Sequence, residues 1–201
     1  MFIAQKLRKK SIAEYLLYMW QIEDIIRAMG CSLPLIKKVY ISKFSDYTQE
    51  QIDDETDWFG NLIRMMNEEG KRDGGHLNIN NIVLEDLVDL HNRLMQSDKF
   101  VFYSSQYYKV LPYIVELRAK NKRADNYNAS LTAVVTQYEK GEIETCFDAL
   151  YGKMLLDLQK KTVTPETANA LKEISNFVGL LSDYYLKNET EGLKFDDDEN
   201  V

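Results

Sequence analysis

The chain has 201 residues, 45% of them hydrophobic, with only 9 Gly and 3 Pro. That composition excludes disordered and collagen-like sequences and argues against a many-turned all-β fold. Its 32 acidic and 25 basic side chains give a formal net charge of −7, which disfavours nucleic acid or an anionic membrane as the main partner.

Helix signals open at Ser11, which with Glu14 reads as a capping box, and the helix closes at Gly30 in the left-handed cap position. At 100° per residue, Tyr15, Tyr18, Met19, Ile22, Ile26 and Met29 share one broad face, while Leu16, Leu17, Trp20 and Ile25 fall on others. A helix this apolar is expected to be buried on most sides. Yet it carries Glu14, Glu23, Asp24 and Arg27, and a buried charge survives only with a partner. Glu23 and Arg27 stand four apart with the acid first, the order that favours an ion pair, and are expected as a structural pair. Asp24 has no such local explanation.

Ser32 and Pro34 restart the chain as a short helix to about Phe44. Thr48 with Gln51 is a second capping box, opening a helix with Ile52, Phe59, Ile63 and Met66 on one face and Gly70 at its end. Lys71 to His76 is a polar loop broken by Gly74-Gly75. Asn78 or Asn80 caps the next helix, whose stripe is Ile79, Val83, Leu87, Leu90 and Leu94. Asp98 caps an aromatic segment holding Phe100, Phe102, Tyr103, Tyr107, Tyr108 and Tyr113. Pro112 cannot donate to the carbonyl of Tyr108, so a kink or a break is expected there.

Asn121 to Asn128 reads as a polar linker, and Leu131, Val134, Val135 and Tyr138 as a short helix stopped at Gly141. Ile143, Phe147, Leu150, Met154, Leu155 and Leu158 form the cleanest stripe. Thr164 caps the last helix with Pro165 in its first turn, and Leu171, Ile174, Val178, Leu181 and Tyr185 make its inner face. The short connection from Lys161 to Thr164 makes these two helices antiparallel neighbours. From Glu189 the chain turns acidic. The expectation is a single all-α domain over residues 1–188, an irregular bundle of about seven helices with helical hairpins, followed by a disordered tail over 189–201.

Few residues suggest chemistry. A candidate ligand site combines Asp24, Tyr108, Glu116 and Arg118 where the first long helix meets the Pro112 helix. Carboxylates in apolar helices, a carbonyl freed by proline and tyrosine hydroxyls could there hold a small polar or cationic ligand. His76 reads as a solvated loop residue. His91 lacks the Glu-x-x-His pattern of a di-iron bundle, since Val88 stands three before it. Cys146 beside Phe147 reads as a small buried hydrophobe. No zinc spacing, phosphate loop or nucleophile elbow occurs, so no metal, no cofactor and no catalytic role is assigned. Cys31 and Cys146 match no disulfide spacing, no apolar run approaches the roughly 20 residues that span a bilayer, and MFIAQKLRKK lacks a signal-peptide cleavage site. A cytoplasmic protein is expected.

Met1-Phe2-Ile3-Ala4-Gln5-Lys6 and the run Ile12 to Glu23 resemble the opening of an uncharacterised all-helical family of Bacteroides-type bacteria, a domain of unknown function. Gly75-His76-Leu77, Tyr107-Tyr108, Pro112, Glu116-Leu117-Arg118, Glu144-Thr145-Cys146-Phe147 and Tyr151-Gly152 are similar to it as well, out to about Tyr185. The resemblance implies one helical domain in a bacterial cytosol and supplies no catalytic residues. With 2 Trp, 13 Tyr, 8 Phe and 7 Met, residue types enriched at interfaces, the expected role is an interaction module that forms a homodimer or docks another protein. The alternative is a small-molecule-binding or enzymatic bundle with a carboxylate- and tyrosine-lined site.

Overall fold

The computed structural model describes residues 1–129 and 140–195. Among these are eight α-helices, two 3-10 turns and no strand. The helices are α1 Phe2–Lys10, α2 Ile12–Ala28, α3 Leu33–Val39, α4 Gln49–Glu68, α5 Asn78–Gln96, α6 Val101–Ala129, α7 Glu142–Leu158 and α8 Pro165–Glu191. The contacts group into two compact units, residues 1–85 and 86–201, and the division falls within α5.

In the first unit, α1 is the helix that periodicity did not show. Met1 supplies no side-chain cap. The cap comes from α4, where buried Glu55 accepts from the Met1 nitrogen and, at 3.2 Å, from the Phe2 N–H. α2 follows after one residue. Ser11 ends α1 by donating its N–H to the Leu7 carbonyl at 2.7 Å, and its Oγ accepts from the Glu14 N–H at 3.2 Å. That commitment takes the N–H that a capping box would give to Glu14, and Glu14 pairs with Lys10 instead. The all-round apolar pattern of α2 has the expected result: Ile12, Leu16, Met19, Trp20, Ile22 and Ile26 are all buried. α2 ends with Gly30 at φ 61° and Cys31 at φ 56°, whose N–H groups return to Arg27 and Ile26. At α4 the full capping box between Thr48 and Gln51 is present.

In the second unit, α6, α7 and α8 pack against one another in all three pairs. Tyr103, Val110, Ile114, Ile143, Phe147, Ile174, Phe177 and Leu181 are buried. Of the kink or break expected at Pro112, the break does not occur, since the helix runs on through it. Pro112 is exposed, and solvent can bond the carbonyl it leaves without a donor. The expected linker over 121–128 instead continues α6. The helix expected over Leu131 to Tyr138 lies outside the described residues, as does the stretch from Asp196 to Val201. The start of the expected tail is packed. α8 extends to Glu191, Gly192 turns the chain at φ 73°, and Phe195 is only 5% exposed.

Candidate functional site

Three places concentrate side chains able to bind or react. The first centres on Glu23 in α2, which is fully buried. Its Oε1 accepts from the Leu77 N–H at 2.9 Å and from Asn80 Nδ2 at 2.6 Å, and its Oε2 lies 2.7 Å from His76 Nδ1. A carboxylate can only accept, so Nδ1 carries the proton of that contact. Leu77 directly precedes α5 and has no side-chain oxygen, so Glu23 caps α5 from another helix. There the carboxylate also meets the positive end of the helix dipole. Trp20, one turn back on α2, stacks on the His76 ring at 4.1 Å and 14°.

Arg27 fixes the loop that leads to this cap. Its Nε donates to the Lys71 carbonyl at 3.1 Å and its Nη2 to the Gly75 carbonyl. The same side chain lies 2.7 Å from Asp24 and 3.8 Å from Glu23. These bonds hold α2, the loop and the start of α5 together, while the buried Asn80 Oδ1 meets no donor among the described residues.

The second place lies between α6 and α7. The Tyr107 hydroxyl donates to Glu142 Oε2 at 2.5 Å, and Arg118 stands 3.8 Å from Glu142 Oε1. His91 Nδ1 is 2.7 Å from the Tyr103 hydroxyl, with the rings of Tyr103, Tyr107 and Phe177 around it. Burial pulls the His91 pKa below its ordinary value, and Glu142 opposes the shift. Burial, and then the charge of Glu142, push the Cys146 thiol up to about 12. It stays protonated and fills space, as a small hydrophobe does.

The third place is the outer face of α6. Val101 is 67% exposed, Phe102 and Tyr108 62% each, and Val115 55%. Ser105 and Pro112 are exposed between them. The series 101, 105, 108, 112, 115 alternates steps of four and three, which keeps it on one side of the helix. Beside it a cleft of about 410 Å³ opens between α6 and α8, lined by Phe102, Gln106, Val110, Glu173, Leu180 and Asp183 among others, with no basic side chain among the described residues that line it.

The residues singled out from the sequence divide between the units. Asp24 is in the first, half-buried and paired with Arg27. Tyr108, Glu116 and Arg118 are in the second. Tyr108 is exposed, Glu116 is exposed and pairs with Lys120 at 2.6 Å, and Arg118 lies near Glu142. Sequence reasoning reads His76 as a solvated loop residue and Asn78 or Asn80 as the cap of α5, whereas His76 is held by Glu23 and Trp20 and the cap is Glu23; it does not single out Glu142 or Glu55. One signal pointed to His76 and Asn80 as partners of Glu23: a charge inside an all-apolar α2 needs donors, and an α5 that starts after leucine needs an acceptor.

The profile of the family described as Domain of unknown function (DUF4924) matches residues 1–192, and the chain belongs to this family. No curated protein and no solved structure matches the chain.

Proposed function

We propose that this member of the family is a self-associating interaction module, and that the outer face of α6 is where a second copy docks. The observation that supports it is the exposed seam. Val101, Tyr108 and Val115 recur every seven residues with Ser105 and Pro112 between them, the spacing at which helices interlock side chains. A two-fold axis sets such a face against itself. Small Ser105 and flat Pro112 leave room for the other copy's Tyr108 ring. Large apolar side chains more than half in water on one helix face are what an interface would cover.

Sedimentation of the wild type at micromolar concentration is expected to give a dimer. Joint Tyr108→Glu and Val115→Glu substitution is expected to give a monomer with an unchanged helical spectrum. A wild type that sediments only at 23.5 kDa rules the reading out.

The rival reading, a small polar or cationic ligand held by Asp24, Tyr108, Glu116 and Arg118, draws less support. Three of the four already have an oppositely charged neighbour within 4 Å. We also infer a cytoplasmic setting. Cys31 and Cys146 are both free thiols, which suits a reducing compartment, and none of the described helices is long and apolar enough to cross a membrane.

A further inference from the structure

Beyond α8 the chain folds back. Gly192 adopts a left-handed conformation, and the Leu193 N–H donates to Asn188 Oδ1 at 3.2 Å. The ring of Phe195 then enters a pocket of the second unit. The Arg93 guanidinium lies over that ring at 3.9 Å from its centre, Phe100 packs beside it at 5.2 Å, and Tyr184 backs Phe100. Lys99 Nζ donates to the Phe195 carbonyl at 3.3 Å.

We propose that this pocket is a receptor for a peptide carrying an aromatic residue followed by acidic ones, and that Phe195 closes it in cis. The occupant in place defines the chemistry. A cation over a ring face selects an aromatic side chain, and Lys99 reads the main chain at the same residue. Arg93 forms no ion pair among the described residues, so its donors can serve incoming carboxylates. In this sequence the anchor is followed by Asp196, Asp197, Asp198 and Glu199, opposite in sign to Arg93 and Lys99.

The occupant is also built to leave. Residues 192–195 form no helix or strand. Releasing them gives up the ring contacts and a few hydrogen bonds without unwinding α8, the kind of local opening that proteins populate well below global unfolding. The family match ends at residue 192, so residues 193–195 lie outside the matched region. The pocket is separate from the α6 seam and does not depend on self-association.

The test uses the full chain and a fluorescent, end-capped peptide with the sequence of residues 193–199. Anisotropy titrations are expected to show binding to Phe195→Ala that is about tenfold or more tighter than to the wild type. The peptide with alanine in place of phenylalanine should bind neither. Adding Arg93→Ala to Phe195→Ala should remove the gain. Equal binding to wild type and Phe195→Ala overturns the proposal, as does binding that ignores the peptide's ring. A second readout needs no variant. In the wild type, the amides of Leu193 and Phe195 should exchange with solvent much faster than those inside α8. Exchange as slow as the α8 core means that the strap does not open, and the pocket is then only a structural anchor.

Discussion

An imidazole surrounded by rings has little access to the water that would solvate its charge, and His91 is in that position. Desolvation is the larger influence and lowers its pKa; the nearby charge of Glu142 works against it. The direction fixes the sign of a pH effect. Below about 6.5, the ordinary value, an unfolded chain takes up a proton there that the folded chain refuses. The stability from neutral His91 is therefore complete above that pH and is lost as the pH falls toward the folded value. Melting of the wild type is expected to drop between about pH 7 and pH 5, and His91→Gln should shrink the drop. A pH dependence that the substitution leaves unaltered would mean another group controls it. Nearby Tyr103, Tyr107 and Cys146 cannot be that group, because burial raises all three above their ordinary values, leaving them protonated throughout this range.

Two helices of the first unit begin on a carboxylate supplied by another helix: α1 on Glu55 and α5 on Glu23. Such a cap carries more than a serine does, because it is buried and several donors depend on it. Glu23→Ala leaves the Leu77 N–H, the Asn80 amide and His76 without their acceptor, and is expected to cost about 3–5 kcal/mol. Glu23→Gln keeps one oxygen able to accept and should cost less. Urea unfolding measures both, and an alanine variant that loses under about 1 kcal/mol would show that solvent replaces the cap. The same distinction explains what the sequence revealed. Thr48 with Gln51, Thr164 with Pro165, and the closing glycines at 30 and 70 were legible because cap and partner lie within a few residues. The starts of α1 and α5 depend on partners 53 and 54 residues away, which neither period nor spacing encodes. Arg27 forms the expected pair with Glu23 and reaches a second acid as well. With Glu23 four back and Asp24 three back, either acid could pair with it, and it approaches Asp24 more closely. The seam of α6 was hidden for another reason. That helix carries rings around most of its circumference, so nothing marks Tyr103 and Tyr107 as inner and Phe102 and Tyr108 as outer.

Taken as a whole, the chain holds two compact units, and a compact unit is not by itself an independent folding domain. α5 bears on the question, because one continuous helix supplies Val83 to the first unit and Leu87, Leu90 and Leu94 to the second. Melting half of a helix sacrifices the cooperativity that sustains the rest. The expectation of one domain becomes a calorimetric prediction: a single transition whose calorimetric and van't Hoff enthalpies agree. Glu23→Ala, in the first unit, and His91→Gln, in the second, should move that same transition. Two resolved transitions, each answering to only one of these substitutions, would show that the units fold separately.

Ser11 serves two helices at once, as the last acceptor-bound N–H of α1 and the cap of α2. A junction of one residue has no slack. Each residue turns a helix by 100°, so one amino acid more or fewer at this point would swing Ile12, Leu16 and Met19 away from the interior and carry Glu23 away from the Leu77 N–H that it caps. The join can thus absorb a change of side chain, such as threonine or aspartate for serine, far more readily than a change of length. The rotational phase of the most buried helix in the first unit is set by counting from Leu7.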